Sequence, residues 1–443
     1  MKRILIVSYS FPPAGGAGVM RMTKFVKYLP KFGWLPTVLC AQPTQSNPRD
    51  TSLLGDIPDE VEVVRLPAPG YSFLNSFRLG RGLLRLGLFP DSNIVWARRV
   101  LSAAEELVRE KPFDVVLTTD PPSAQWVGYQ LQQRTGIPWV MDIRDLWTDA
   151  FTYRPISYIH GLLDRRLEAK MLQAADGIVC ATSGYPQVLQ DSYPQLTKDR
   201  FLVIPNGYDE DDFRGREALH DNFFWLTYVG ALFDFSVYPR VIGWKRLLEP
   251  FIAGGPPVQV RTPAIIIEAM AQIIAKEPDL ADSLRIRFVG EFPEEFRKII
   301  RERGLENIVR IDGYVDHATA VQAMLDADVL FLMQAGDGSE CVIPGKLYEY
   351  MRSGTPILGL FPKGLASKLI RETESGVVIP PENIGSVQDQ ILHWYHVWKK
   401  RGVLTRPDRS AIEHYSRQNQ SQRLAKWMLE LRAKDESLEM EID

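Results

Sequence analysis

Short runs of apolar, β-branched residues recur along the chain, each followed by a longer stretch whose apolar positions repeat at helical spacing. In the first half the runs predict strands at 4–8, 37–40, 61–66, 115–118, 139–142, 177–180 and 202–204. Helices are expected between them at about 18–31, 94–110, 122–135, 157–174 and 184–192. The pattern restarts at 225–229 and predicts further strands at 286–289, 308–311, 329–333, 357–360 and 376–379. Helices are expected there from 263, from 294, at 318–326, directly after Pro344 and at 385–400, with a last one at 409–433. Apolar strands alternating with helices build a parallel sheet covered on both faces. Two such series predict an α/β chain of two Rossmann-like, doubly wound domains, 1–215 and 216–405. The polar, acidic stretch between Pro205 and Asn222 is the break. The segment 406–443 is expected to give a C-terminal helix that packs back toward the first domain, then a charged, frayed tail.

Bulk properties narrow the class. At 443 residues, 45% apolar and 24% charged, the chain reads as a soluble globular protein too long for one core. A net charge of −3 gives no case for nucleic acid. The widely spaced Cys40, Cys180 and Cys341 form no disulfide framework or zinc pattern, and a reducing cytoplasm fits them. The apolar run after Lys2 and Arg3 is too short for a signal sequence and reads as a buried first strand. No run is long enough to span a bilayer. The six histidines are scattered without metal-ligand spacing.

Open parallel sheets bind ligands beyond the carboxyl ends of their strands, and two such sheets facing each other would leave a cleft between them. The loop and helix at Pro344-Gly345-Lys346-Leu347-Tyr348-Glu349-Tyr350 follow an apolar strand. Leu347, Tyr350 and Met351 share a core face, and Glu349 falls opposite. The loop and helix start offer N–H groups to a diphosphate, and Glu349 offers a carboxylate to two adjacent sugar hydroxyls. The alternative is a solvated Lys–Glu pair on an ordinary helix. The first strand runs into Gly15, Gly16 and Gly18, which permit close approach of a phosphate. Their spacing departs from the dinucleotide fingerprint, which disfavours NAD.

Charged residues also end other strands. Asp142, Arg144 and Asp145 close the strand at 139–142. Either the two aspartates clamp Arg144, or one carboxylate faces an acceptor hydroxyl or donor sugar. Asp120-Pro121-Pro122-Ser123 forms a further loop on that rim, read as structural. The strand at 226–229 leads to Gly230 and then to a long segment, 233–260, ahead of Arg261, the best-placed cation for a diphosphate. Gly290-Glu291-Phe292 and Gly313-Tyr314-Val315-Asp316-His317 end two more strands, where backbone and side chains can hold a base or make plain βα turns.

In this order and spacing the pieces resemble the retaining nucleotide-sugar glycosyltransferases of family 4. The resemblance runs over nearly the whole chain. It is carried by Phe11-Pro12-Pro13 with Gly15 to Gly18, by Pro138 to Trp147, and by Ile204-Pro205-Asn206-Gly207-Tyr208-Asp209. Tyr228-Val229-Gly230 and Lys346-Leu347-Tyr348-Glu349-Tyr350 with Gly354 and Pro356 complete it. It implies the two-domain GT-B fold and a donor site in which Glu349 binds ribose. N–H groups from Val342, Ile343, Gly345, Lys346 and Leu347 would meet the diphosphate, with Gly15, Gly16, Gly230, Val315 and Arg261 around it. The family motif carries a second glutamate ahead of this one, with seven residues between the two. That position is Cys341 here, with Glu340 one place off. Many relatives also carry a histidine where this strand ends in Asp142, so Asp142 or Asp145 would take that role.

The expected activity is metal-independent, retaining transfer of a sugar from a nucleotide-diphosphate donor to a glycan or lipid-linked glycan, in bacterial surface-polysaccharide synthesis. Asp142, Asp145 and Arg261 are the catalytic candidates. No cofactor is expected, and no metal. The alternatives are a nucleotide-sugar epimerase of the same fold and an inactive sugar-nucleotide-binding protein. Residues 73–88 combine leucines and phenylalanines with Arg78, Arg81 and Arg85, a pattern suited to an anionic membrane interface. They point either to peripheral attachment at the inner face of the cytoplasmic membrane or to a loop whose leucines pack on the core while its arginines are solvated.

Overall fold

The computed structural model describes residues 1–43, 49–68, 88–153, 155, 158–232, 262–334, 338–404 and 410–440. The expectations for 73–87, for the segment 233–260 and for Arg261 lie outside them. The described residues divide into two compact units. One draws on Met1–Asn206 and Arg417–Asp443, the other on Gly207–Arg240 and Pro256–Ser416.

The first unit begins with β1 (Lys2–Ser8), α1 (Ala17–Tyr28), β2 (Trp34–Ala41) and β3 (Glu62–Leu66). It continues with α2 (Ile94–Glu110), β4 (Val115–Thr119), α3 (Pro122–Thr135), β5 (Trp139–Ile143) and α4 (Tyr158–Ala174). β6 (Gly177–Cys180), α5 (Tyr185–Ser192) and β7 (Phe201–Val203) close the series. The seven strands are parallel, in the order β3-β2-β1-β4-β5-β6-β7. Ile4, Leu5, Ile6 and Val7 are fully buried, as expected of a strand covered on both faces. The helix expected at 18–31 stops earlier. Pro30 has no N–H for the ladder, so a short 3₁₀ turn takes over from Leu29 to Phe32 and ends at Gly33 in the left-handed region.

The second unit runs α6 (Glu210–Phe213), β8 (Phe224–Val229), α7 (Ala264–Lys276), β9 (Leu284–Val289) and α8 (Glu294–Glu302). β10 (Val309–Gly313), α9 (His317–Asp326), β11 (Val329–Met333), α10 (Lys346–Ser353) and β12 (Ile357–Leu360) follow. α11 (Leu365–Glu372), β13 (Gly376–Ile379) and α12 (Ile384–Arg401) complete its sheet layers. Its six parallel strands are ordered β10-β9-β8-β11-β12-β13. α11 was not foreseen. It spans only eight residues, and its apolar stripe of Leu365, Leu369 and Ile370 is too brief to stand out in sequence.

The final helix, α13 (Arg417–Met440), belongs to the first unit. Leu424, Ala425 and Met428 are buried in the same cluster as Ile4, Ile6 and Val38. The Trp34 indole N–H donates to the Ala425 carbonyl at 3.2 Å. Gly177 on β6 makes room for the helix: a Cβ there would lie 2.4 Å from the Trp427 ring.

In each sheet the strand order reverses once, between β1 and β4 in the first and between β8 and β11 in the second. The loops on either side of such a reversal diverge and leave a crevice at the carboxyl edge. These loops carry Gly15 and Gly16 with Asp120 in one unit, and Gly230 with residues 338–345 in the other.

Candidate functional site

In the second unit the site is built on α10. Leu347, Tyr350 and Met351 are buried, and Gly354 in the left-handed region ends the helix. The Tyr350 hydroxyl accepts from the Val229 N–H at 2.7 Å and donates to its carbonyl at 3.2 Å. The helix is thereby tied to the last residue of β8, at the reversal of the sheet. Glu349 lies on the far side of the helix, its side chain 13% exposed. The His317 Nε2 sits 3.6 Å from the Glu349 Oε1 and 3.1 Å from the Asp212 Oδ2. His317 opens α9, whose N-cap Asp316 accepts from the Thr319 N–H at 2.7 Å. The Thr319 side chain, and then that backbone N–H, hold the Asp316 carboxyl below its ordinary value. Asp212 is placed by α6, which Glu210 anchors to α10 through a forked pair with Arg352 at 2.5–2.9 Å.

The loop before α10 is stapled by Gln334, whose amide donates to the Ser339 and Val342 carbonyls at 2.8 and 3.0 Å. Among the described residues, the Ile343 and Gly345 N–H groups find no acceptor. Glu340 is exposed, and its carboxylate turns back onto the Gly338 N–H at 3.3 Å. Its carbonyl caps the next segment by accepting from Leu365.

Gly230, Gly290 and Gly313 meet at the same edge. Gly290 donates to the Gly313 carbonyl at 2.7 Å and has a φ of 132°. A Cβ on Gly290 would lie 2.2 Å from the Gly230 carbonyl oxygen, so only glycine permits this approach. Val315 is half-buried against the core, beside the exposed Tyr314. The structure thus gathers Gly230, Val315, Ile343, Gly345, Lys346 and Glu349 around one unit's strand ends, whereas the Val342 and Leu347 N–H groups, expected at the diphosphate, donate to the Ser339 and Pro344 carbonyls at 2.9 and 3.0 Å.

In the first unit Asp142 is fully buried. Arg21 donates to its carboxylate from Nε at 3.0 and 3.1 Å and from Nη2 at 2.7 Å. The Thr119 hydroxyl donates at 3.0 Å, and the Arg21 Nη1 reaches the Pro205 carbonyl at 3.1 Å. The expectation that Asp142 faces a substrate is therefore corrected: it is a saturated clamp between β5 and α1. Its expected pairing with Arg144 is replaced too. Arg144 pairs with Asp120 at 3.3 Å and donates to the Gly18 carbonyl at 2.8 Å. A Cβ at Gly18 would stand 2.7 Å from that guanidinium.

Asp120 also accepts from the backbone N–H of Arg144 and of Asp145, at 3.3 and 3.4 Å. Burial pushes its carboxyl up to about 7, against the pull of Arg144 and with the like charges of Asp145 and Asp142. Its side chain keeps 22% of its surface open. Asp145 is exposed on the same rim. Gly16 has a φ of 104° and caps α1, with nothing within 4 Å of where a Cβ would stand. Gly15 precedes it, half-buried.

The sequence does not reveal His317 and Asp212 as the groups around Glu349, and it places Asp120 on the rim without its Arg144 partner. His317 stands in a strand-end motif, but its spacing does not set it apart from the other histidines. Asp212 stands in the acidic stretch between the two domains. An aspartate directly after a buried strand is the one signal for Asp120.

The family model for a glycosyl transferase 4-like domain matches residues 15–207, and that for glycosyl transferases group 1 matches residues 254–396. A curated relative, a D-inositol 3-phosphate glycosyltransferase of Geodermatophilus obscurus, is 23% identical over 227 residues. The match takes in 48% of this chain and 44% of the relative, so the chain spans less than half of that protein. Among solved structures, HepE of Anabaena in complex with UDP-glucose has a TM-score of 0.57 at 15% identity. That likeness covers 99% of this chain and all of HepE. A UDP-GlcNAc 2-epimerase of Neisseria meningitidis bound to UDP-GlcNAc has a TM-score of 0.53 at 13% identity, covering 97% and 100%. At such identities the likeness shows the fold alone. With two consecutive family domains over two doubly wound sheets, the chain belongs to the family 4-like glycosyltransferases of the GT-B fold.

Proposed function

We propose that the protein transfers a sugar, with retention and without a metal, from a nucleotide-diphosphate donor to a hydroxyl of a glycan or lipid-linked glycan in surface-polysaccharide synthesis. The observation that carries this reading is the placement of Glu349. Its carboxylate stands on the outer face of α10, beside a loop whose Ile343 and Gly345 N–H groups meet no acceptor among the described residues, at the reversal of the sheet. Glu349 would accept the two ribose hydroxyls, with His317 orienting it. The N–H groups of Ile343 and Gly345, with Lys346 and Arg261, would take up the charge that develops on the leaving diphosphate. Donors fixed in advance stabilise such charge without reorganisation. The nucleotide sugars bound by HepE and by the epimerase support a donor of this class.

Acceptor recognition falls to the first unit. Asp145, exposed on the rim, and Asp120, held near neutrality by burial, are its acid–base candidates. Asp142 has no free lone pair for the task. A lipid-linked acceptor would bring the chain to a membrane, for which residues 73–88 supply one candidate contact. No described helix is long and apolar enough to cross a membrane.

Labelled nucleotide-sugars, incubated with and without glycan acceptors, test the reading. Label moving to an acceptor supports transfer. Interconversion of the sugar without an acceptor would mean an epimerase, and binding with neither reaction would mean an inactive receptor.

A further inference from the structure

Among the described residues ten large hydrophobic side chains are exposed, and four of them fall on the first two turns of α4. Tyr158 and Ile159 are 66% and 68% exposed, and Leu162 and Leu163 are 41% each. At the helical repeat they share one face, and the exposed Arg166 and Lys170 continue that face over the next turns. Arg165 stands at its margin, beside Asp149 at 2.6 Å.

Both carboxylates of the helix point the other way. Asp164 is buried and accepts from the Tyr153 hydroxyl at 2.6 Å. Glu168 is buried and accepts from the Thr148 and Tyr193 hydroxyls. A surface helix normally turns its apolar stripe inward and mixed charges outward. Here the outer face carries apolar residues and cations, with the acids inside.

We propose that this face of α4 docks the first unit on an anionic lipid surface. Tyr158, Ile159, Leu162 and Leu163 would enter the headgroup layer, and Arg166 and Lys170 would lie against lipid phosphates. Charge decides between occupants. A second copy would present the same cations and no exposed carboxylate of this helix to meet them, whereas anionic lipid meets both halves of the face. The helix begins after β5, at the edge that carries Asp120, Asp145 and the Gly15–Gly16 loop. If the acceptor is lipid-linked, as proposed above, docking here brings that rim to the bilayer. The docking itself does not depend on the acceptor.

Flotation of the full chain tests it, using vesicles of phosphatidylcholine alone and of phosphatidylcholine with an equal part of phosphatidylglycerol. Wild type floats with the anionic vesicles at low salt and stays behind with the neutral ones. The pair Leu162→Asp with Leu163→Asp, and separately Arg166→Glu with Lys170→Glu, each reduce the floated fraction about tenfold. Their thermal melts stay at the wild-type value, since all four side chains are exposed. Wild type that remains soluble, or variants that float equally, would overturn the proposal. So would a wild-type dimer by light scattering that Leu162→Asp with Leu163→Asp converts to monomer, because the face would then be covered by a second copy. Transfer to a soluble acceptor needs no vesicles, so failure here leaves the reading of the activity untouched.

Discussion

Replacing Asp142 by asparagine separates a structural clamp from a catalytic carboxylate. The side chain keeps its shape and loses its charge. Arg21, 1% exposed, then faces an amide at positions where three of its hydrogen bonds ended on a carboxylate at 2.7–3.1 Å. Removing one partner of a buried pair leaves the other charge unpaired in a low dielectric, at a cost of about 3–5 kcal/mol. For a unit of this size that lowers the melting temperature by roughly 6–20 °C. Urea denaturation followed by fluorescence measures the loss, and the transfer rate per folded molecule is measured below the transition. The expected result is a strongly destabilised protein whose folded fraction still turns over. Combining Asp142→Leu with Arg21→Met should recover much of the loss, because no isolated charge remains. A variant as stable as wild type but inactive would refute the clamp and return Asp142 to the chemistry.

Asp120 gives a pH signature. Its carboxyl is raised from 3.8 to about 7, so the folded chain holds a proton that the unfolded chain releases. The associated stability is full below about pH 4 and lost as pH rises toward 7. At ~1.36 kcal/mol per unit the loss is at most roughly 4 kcal/mol, and Asp120→Asn should remove that slope. Urea midpoints taken between pH 5 and 8 that run parallel for wild type and variant would contradict the assignment. Transfer should persist in excess chelator; abolition by chelator with recovery on adding Mn²⁺ or Mg²⁺ would show that N–H groups and cations do not suffice for the diphosphate.

The fold was legible because parallel strands covered on both faces are written as unbroken apolar runs. Ile4–Val7 and Val329–Met333 could be little else, and their alternation with helices fixed the class. α11 escaped because eight residues hold barely two turns of pattern. The site was legible only in part. Glu349 declared itself by standing opposite Leu347, Tyr350 and Met351. The same local reading could not find the partners of charged residues, since Arg21 and Asp142 lie 121 positions apart. Arg144 was assigned to its sequence neighbours, while the fold pairs it with Asp120 and with the Gly18 carbonyl. Nor does any local pattern show that α6, α9 and α10 bring Asp212, His317 and Glu349 together.

Titration of nucleoside diphosphates into wild type and Glu349→Ala by calorimetry decides whether Glu349 holds the donor. Wild type should bind the diphosphate of its donor, and the variant should bind it about 10- to 150-fold more weakly. That range corresponds to the roughly 1.5–3 kcal/mol of a charged hydrogen bond. Equal affinities for the two proteins, with the variant folded, would contradict it.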